Sequence, residues 1–363
     1  MNDMGTMAGR DAVPESAFEF TGTWREFLPI ALTNLLLTIV TLGIYRFWAK
    51  ARERRYLWSR TRFIDDSLEW TGTGKEMFIG FVVVMAVLLP VGLGLQFVLQ
   101  ALALRGQALA AALLVFALYG GFFYLIGVAR FRALRYRLSR TWWHGIRGGS
   151  DDGGWEFGLK YVGKTIAGAI LFGLLVPWSM VSLWNDRWNR MSFGQNAFEA
   201  HASTDGLFGR WLLIYLVPII GGVVMMIGFA GAMAGMAGGG DPTMAFGTIV
   251  LAVIGFYLAF ILVTLSYYAL FYRQVAAATS VAGIDFAFTA HTKDWLKLIL
   301  GNIGLIIVTL GLALMFIGYR NWSFVVRHME ATGTVDLDLL KQSQTRAPGD
   351  AEGLADAFDI GAI

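Results

Sequence analysis

The chain contains no cysteine. That excludes disulfides, thiol nucleophiles and thiolate metal sites. It is also poor in charge: 15% of residues are Asp, Glu, Lys or Arg, against about 25% in an ordinary soluble domain. No Walker phosphate loop, dinucleotide fingerprint, serine nucleophile elbow or His-Glu-x-x-His is present. With no such signature we expect a protein that is not an enzyme and carries no cofactor. The stretch from Met1 to Ala17 is polar and acidic, and lacks the basic start and short apolar core of a signal peptide.

What fills the chain instead is apolar sequence, 56% of it, with a mean hydropathy of +0.57. Four runs are long enough to cross a bilayer as helices: Met77 to Leu99, Ala108 to Ala129, Trp211 to Met236 and Ala245 to Phe271. Basic residues are placed unevenly around them. Lys50, Arg52, Arg54, Arg55, Arg60 and Arg62 follow the first apolar stretch, and Arg130, Arg132, Arg135, Arg137, Arg140 and Arg147 follow Ala129. The short turns inside the two pairs carry only Arg105 and, from Gly238 to Asp241, no basic residue. This asymmetry puts the basic ends in the cytoplasm, with both termini. We read the clusters as membrane-surface anchors in contact with lipid, and expect no nucleic acid partner. Residues 1–17 are expected to be a disordered tail, and residues 336–363 an acidic, mobile one.

The phrase Asn34-Leu-Leu-Leu-Thr-Ile-Val-Thr-Leu-Gly43 returns as Asn302-Ile-Gly-Leu-Ile-Ile-Val-Thr-Leu-Gly311. A fainter copy lies between them, with Glu156-Phe157 on Glu26-Phe27, Gly173 on Gly43 and Trp178 on Trp48. The sequence therefore divides into repeat modules at 18–76, 130–208 and 272–335, joined by transmembrane hairpins at 77–129 and 209–271. Short alternating segments flank each module's apolar run: 18–23 and 68–73, 142–146 and 198–202, 286–291 and 329–334. Alternation predicts six strands that build one small cytoplasmic β subdomain, because unpaired strands cannot face lipid. Thr23 with Glu26 and Thr73 with Glu76 have the spacing of helix caps.

The module's own run, Phe27 to Trp48, is ambiguous. If it crosses, its flanking strands end on opposite sides of the membrane. If it breaks at Gly43, and its equivalents at Gly173 and Gly311, all strands share one side. We favour the second arrangement, a re-entrant or interfacial helix pair.

Laid out this way, the chain resembles the YjgN-like bacterial inner-membrane proteins, a family defined by domain of unknown function 898. The carrying residues are Phe20-Thr-Gly-Thr23, Asn34 through Tyr45, Trp48-Ala-Lys50, Arg54-Arg-Tyr56 and Trp70-Thr-Gly-Thr-Gly74. The middle module departs, with Pro177-Trp178 and no Thr-Leu-Gly. The resemblance implies a multi-pass protein of the bacterial inner membrane. It implies no activity and no catalytic residue.

Several residues are candidates for more than packing. Asn34, Lys164 and Asn302 fall on one module position and could line a shared polar centre. The plainer alternative is that each satisfies backbone at a helix break. The four histidines, His144, His201, His291 and His328, lie in or beside the strands and could meet around a metal, although their spacing is not that of a ligand set. The alternative is polar strand positions. Gln96 and Gln100 share a helix face and read as helix packing or as part of a polar pathway. Lys160 and Lys164 enter the fourth run, where snorkelling to headgroups suffices. Gly231-Ala-Met-Ala-Gly235 reads as a close helix contact.

The fold expected is therefore a multi-pass α-helical membrane protein of three modules with a cytoplasmic β subdomain. The function expected is transport, permeation or lipid handling. The alternative is a scaffold whose sheet docks a cytoplasmic protein partner.

Overall fold

The computed structural model describes residues 11–12, 17–239, 241–335, 340–346, 349 and 352–354. It is mostly helical. Four helices, α3 (Gly74–Leu104), α4 (Ala108–Arg140), α7 (Leu207–Ala237) and α8 (Pro242–Ala277), are the long ones, preceded in the chain by α1 (Trp24–Val40) and α2 (Arg46–Ser59). Each of the four is long and apolar enough to cross a membrane. At about 1.5 Å per residue, a 31-residue helix such as α3 exceeds the roughly 30 Å hydrocarbon core. The excess lies at the strand end: α4 runs on to Arg140 and α8 to Ala277, so Arg130, Arg132, Arg135, Arg137 and Arg140 are helical, while Arg147 lies in a strand.

The remaining helices form three hairpins. In the first, α1 stops at Val40 and the chain reverses through Leu42 and Gly43, at φ of 50° and 92°. Only glycine holds that region without strain, which is why the break falls there. The second is α5 (Trp155–Ala169), a 3₁₀ turn at Ile170–Gly173, and α6 (Val176–Trp188). The third is α9 (Thr292–Val308), a 3₁₀ turn at Leu312–Phe316, and α10 (Ile317–His328), with Gly311 again at φ 92°. Capping fixes the helix starts. The Thr23 hydroxyl accepts from the Glu26 N–H at 3.4 Å, and Thr73 from the Glu76 N–H at 3.3 Å.

Among the described residues twelve short strands, not six, connect these helices: β1 (Asp11–Ala12), β2 (Phe18–Phe20), β3 (Thr61–Phe63), β4 (Asp66–Ser67), β5 (Glu69–Trp70), β6 (Thr141–Trp143), β7 (Ile146–Gly149), β8 (Ser192–Phe193), β9 (Asn196–Ala200), β10 (Thr279–Val281), β11 (Ile284–Phe288) and β12 (Met329–Val335). The expected segment 142–146 is a hairpin rather than one strand, because His144 and Gly145 take positive φ and reverse the chain. Two-residue turns at 64–65, 194–195 and 282–283 do the same. Every pairing is antiparallel. Nine strands run in the order β1-β12-β11-β10-β9-β8-β7-β6-β5, and three in the order β2-β3-β4. β4 and β5 are one bent segment, hinged at Leu68, whose N–H reaches the Thr61 carbonyl at 2.9 Å. At the other end β2 lies beside β12. The strands thus form an almost complete ring on one side of the four long helices. Its inner face is aromatic: Phe63 stacks on Phe18 at 4.5 Å, meets Trp143 at 4.9 Å and reaches Phe286 of β11 at 6.5 Å.

The close approach of α7 to α8 is at Gly221, where a side chain would collide with Phe256; Gly231 and Gly235 face open space. The small-residue phrase is therefore not the packing contact expected of it. Of the expected N-terminal tail, residues 11–12 pair with Thr334 and Val335 of β12. Of the C-terminal one, residues 340–346 dock on β6–β7: Gln342 accepts from the Arg147 N–H at 3.2 Å and donates to the Gly145 carbonyl at 2.6 Å. Most of both tails lies outside the described residues.

Candidate functional site

Where the helices run into the ring they leave a chamber of about 420 Å³. That is within the ~300–1,000 Å³ typical of a small-molecule site. Phe18, Phe63, Trp143, Phe193, Phe198, Ile284 and Phe286 face it from the strands, and Trp58, Trp184, Trp188, Trp295 and Trp322 from the helix ends.

The walls are held by a recurring bond. Thr61, Thr141 and Thr279 each begin a strand directly after a helix. Each hydroxyl donates to the carbonyl four residues back, on Leu57, Arg137 and Val275, at 2.8, 2.9 and 2.7 Å. This satisfies an acceptor the helix end leaves free. Each also accepts an indole N–H from another helix: Trp322 to Thr61 at 2.9 Å, Trp58 to Thr141 at 2.8 Å and Trp184 to Thr279 at 3.2 Å. Trp58 and Trp322 stack at 4.0 Å. The chamber is therefore a pre-formed space with rigid aromatic walls.

Its charged residues are of one sign. Arg137 and Arg187 line it beside the hydroxyls of Thr141, Thr279 and Tyr272, and among the described residues no Asp, Glu, Asn or Gln does. Arg187 is 7% exposed, its Nε has no hydrogen-bond partner, and among the described residues it forms no ion pair. Burial pushes its guanidinium down to about 10, and the Arg130 charge acts the same way. Trp188 Nε1 and Trp295 Nε1 are likewise buried without acceptors. A second cavity of about 390 Å³ shares Trp184, Arg187 and Tyr272 with the first. It adds Arg130, whose Nη1 donates to the Tyr161 hydroxyl at 3.4 Å, and again no carboxylate.

The chain's relationships accord with a helical, strand-bearing membrane protein. A family model for bacterial proteins of unknown function (DUF898) matches residues 15–357. The chain belongs to this family. A relative named inner membrane protein YjgN, from Salmonella typhimurium strain LT2, is 24% identical over 91% of this chain and 91% of its own length. The protein of that name from Escherichia coli O157:H7 is 31% identical over 37% of this chain and 31% of its own, and that from Escherichia coli K12 37% identical over 18% and 17%. No solved structure matches.

In this DUF898 protein the residues singled out by sequence do not line the chamber. Asn34, Lys164 and Asn302 are not joined to one another; each is bonded to the other arm of its own hairpin. Asn34 Nδ2 donates to the Ala49 carbonyl at 3.2 Å. Lys164 Nζ donates to Ser182 Oγ at 2.5 Å and pairs with Asp186. Asn302 Nδ2 donates to Asn321 Oδ1 at 3.2 Å and Oδ1 accepts from Arg320 Nε at 2.6 Å. Lys160 is bound to Glu156 at 3.0 Å. Gln96 and Gln100 are exposed on α3.

The histidines are also dispersed in role. His144 meets Asp65 at 2.8 Å, His328 Nδ1 is 2.8 Å from the Phe324 carbonyl, and His291 caps α9 in a reciprocal box with Asp294. His201 is exposed, its N–H bonded to the Ala278 carbonyl at 2.9 Å. No group of three or more His, Asp or Glu suited to a metal occurs among the described residues. The chamber's Arg187, Trp188 and Trp295 carry no motif; their only sequence signal is a cation among tryptophans on α6.

Proposed function

We propose that this protein is a multi-pass inner-membrane protein of the lipid-handling kind, and that its ring of strands holds an apolar molecule taken from the bilayer. The observation that carries this reading is the pre-formed aromatic chamber where the long helices enter the ring. An empty apolar space of this size in a chain with four membrane-crossing helices suits a ligand that is itself lipid-like. The names of the relatives support the compartment. A polar solute pathway gains less support, since Asn34, Lys164 and Asn302 are each already bonded within one hairpin.

The ring, with both termini, faces the cytoplasm in this reading, and the three hairpins are repeat modules that re-enter the membrane from that side. Support comes from the arginine-rich strand ends of the spans and from the hairpin tips. Leu42, Phe172 and Leu310 are 94%, 95% and 93% exposed, a costly arrangement in water and a favourable one in lipid.

Two experiments test it. Bromine-substituted acyl compounds quench tryptophan on contact, and six indoles line the chamber: Trp58, Trp143, Trp184, Trp188, Trp295 and Trp322. In nanodiscs we expect saturable quenching that Leu138→Trp, which fills the chamber, weakens at least about tenfold; quenching that rises linearly without saturation overturns the reading. The absence of native cysteine makes the topology accessible too. Single cysteines at Thr23, Thr73, Ser203 and Thr334 should all react with an impermeant reagent from the cytoplasmic side, and labelling of Thr23 and Thr73 from opposite sides would sink the re-entrant arrangement.

A further inference from the structure

The chamber is apolar in its walls and one-sided in its charge. Among the described residues, three buried donors in its lining lack a partner: Arg187 Nε, Trp188 Nε1 and Trp295 Nε1. A buried donor without an acceptor costs free energy, and a buried guanidinium without a counter-ion costs more. Folded proteins normally place a carboxylate beside such a group. Here Arg130 acts on Arg187 as a second cation, and among the described residues neither cavity has an Asp or Glu in its lining. Arg187 stands in the wall the two cavities share, with its guanidinium 5.5 Å from the Trp184 ring. Water alone would supply acceptors but leave the charge uncompensated.

We infer that the chamber takes an anionic amphiphile, with its carboxylate or phosphate bound at Arg187 and its hydrocarbon among the ring's aromatic side chains. The inference rests on the lipid-handling reading and adds the charge of the ligand and the residue that reads it. A guanidinium presents a planar fork of donors that matches a carboxylate or phosphate edge, so Arg suits this position better than Lys. Trp188 Nε1 and Trp295 Nε1 are further donors in the same wall, neutral and without acceptors. Arg130, on the far side of Arg187, adds positive potential and favours an anion over a neutral headgroup of the same shape. The anion would complete the polar network that the chain alone leaves open.

The test compares three probes that share one brominated acyl chain: a fatty acid, the corresponding alcohol and a lysophosphatidic acid. Each is titrated into the full-length protein in nanodiscs of neutral lipid, with tryptophan quenching as the readout. Wild type should bind at least one of the anionic probes about tenfold to a hundredfold more tightly than the alcohol, the range expected for hydrogen bonds to a charged group. Tighter binding of the acid marks a free fatty acid as the ligand, and tighter binding of the phosphate a phospholipid-derived one.

Arg187→Met should abolish the preference while the alcohol still binds, and Arg187→Lys should keep part of it. Trp295→Phe, which removes a donor but little apolar surface, should lower the affinity for the anionic probe several-fold and leave that for the alcohol unchanged. Its binding curve serves even if the Arg187 variants fail to fold. Equal binding of acid, phosphate and alcohol by wild type overturns the inference but leaves the apolar chamber standing. Binding of none of the three overturns both.

Discussion

The middle helix hairpin and the two outer ones perform the same task with different chemistry. In α5/α6 the repeated position is tied by charge: Lys164 sits between Ser182 and Asp186, with Lys160 3.9 Å from the same Asp186. In α1/α2 and α9/α10 the tie at that position is an amide, Asn34 to the Ala49 carbonyl and Asn302 to Asn321 and Arg320. Nearer the strands the first two hairpins share an ion pair, Arg60 with Glu26 at 3.1 Å and Arg190 with Glu156 at 2.6 Å. A polar residue at one repeated position thus marks a place where two antiparallel arms must be joined. It does not mark a place where three hairpins meet. The identity of the polar residue is free so long as the opposite arm supplies its partner.

Breaking each tie should separate the hairpins by size of effect. Asp186→Asn leaves Lys164 partly buried beside a neutral amide, and removal of one partner from such a pair costs about 3 kcal/mol. Thermal unfolding in detergent should show it, and the double change Lys164→Met with Asp186→Leu should recover most of the loss.

Next come the turns. Gly43→Ala and Gly311→Ala force an L residue to φ 92° in open space, costing about 1–2 kcal/mol. Gly173→Ala should cost more, because its new methyl also meets the Tyr215 hydroxyl; a melting-temperature ranking with Gly173 no worse than Gly43 would refute this.

Asn34→Ala and Asn34→Leu both remove one hydrogen bond and the buried Oδ1 that has no partner; Ala should cost about 1 kcal/mol, and Leu less, since it keeps the side-chain volume that Ala leaves empty. Comparison of the two variants' unfolding midpoints decides it.

Acid should have the smallest effect, on the middle hairpin through Glu156 and on the third through Asp294, whose carboxyl the His291 N–H holds below its usual range. Hydrogen bonds from Arg190 and then Lys160 hold the Glu156 carboxyl down to about 2 from its usual 4.5. A depressed carboxylate contributes stability that is present above pH 4.5 and lost as pH falls towards 2. Between pH 5 and pH 3 the amides of α5 and α6 should lose protection relative to those of α1, and Glu156→Gln should remove that difference.

The four long apolar helices were legible because they rest on a local signal, apolar length. Half of the strands were not. β3, β8 and β10 are two or three residues long, too short for alternation to register. Their turns place Ile64 and Ala282 at positive φ, where sequence gives no warning. The chamber was hidden for a different reason. Its lining runs from Phe18 to Leu340, and what distinguishes Arg187 is the lack of a carboxylate nearby, a property no single stretch of chain can display.

The ring joins the beginning of the chain to its end. Tyr319 donates to the Gly22 carbonyl at 2.9 Å across 297 residues, and Trp322 to Thr61 across 261. During synthesis at about 5–20 residues per second, β3 and its neighbours therefore wait roughly 10–50 s for their last partner. Through that interval the early strands have unpaired edges, and the long helices enter the bilayer ahead of the structure they will roof. The chamber is the last part of the molecule to exist, so a chain cut short before α10 would leave the ribosome with its long helices made and the chamber unclosed.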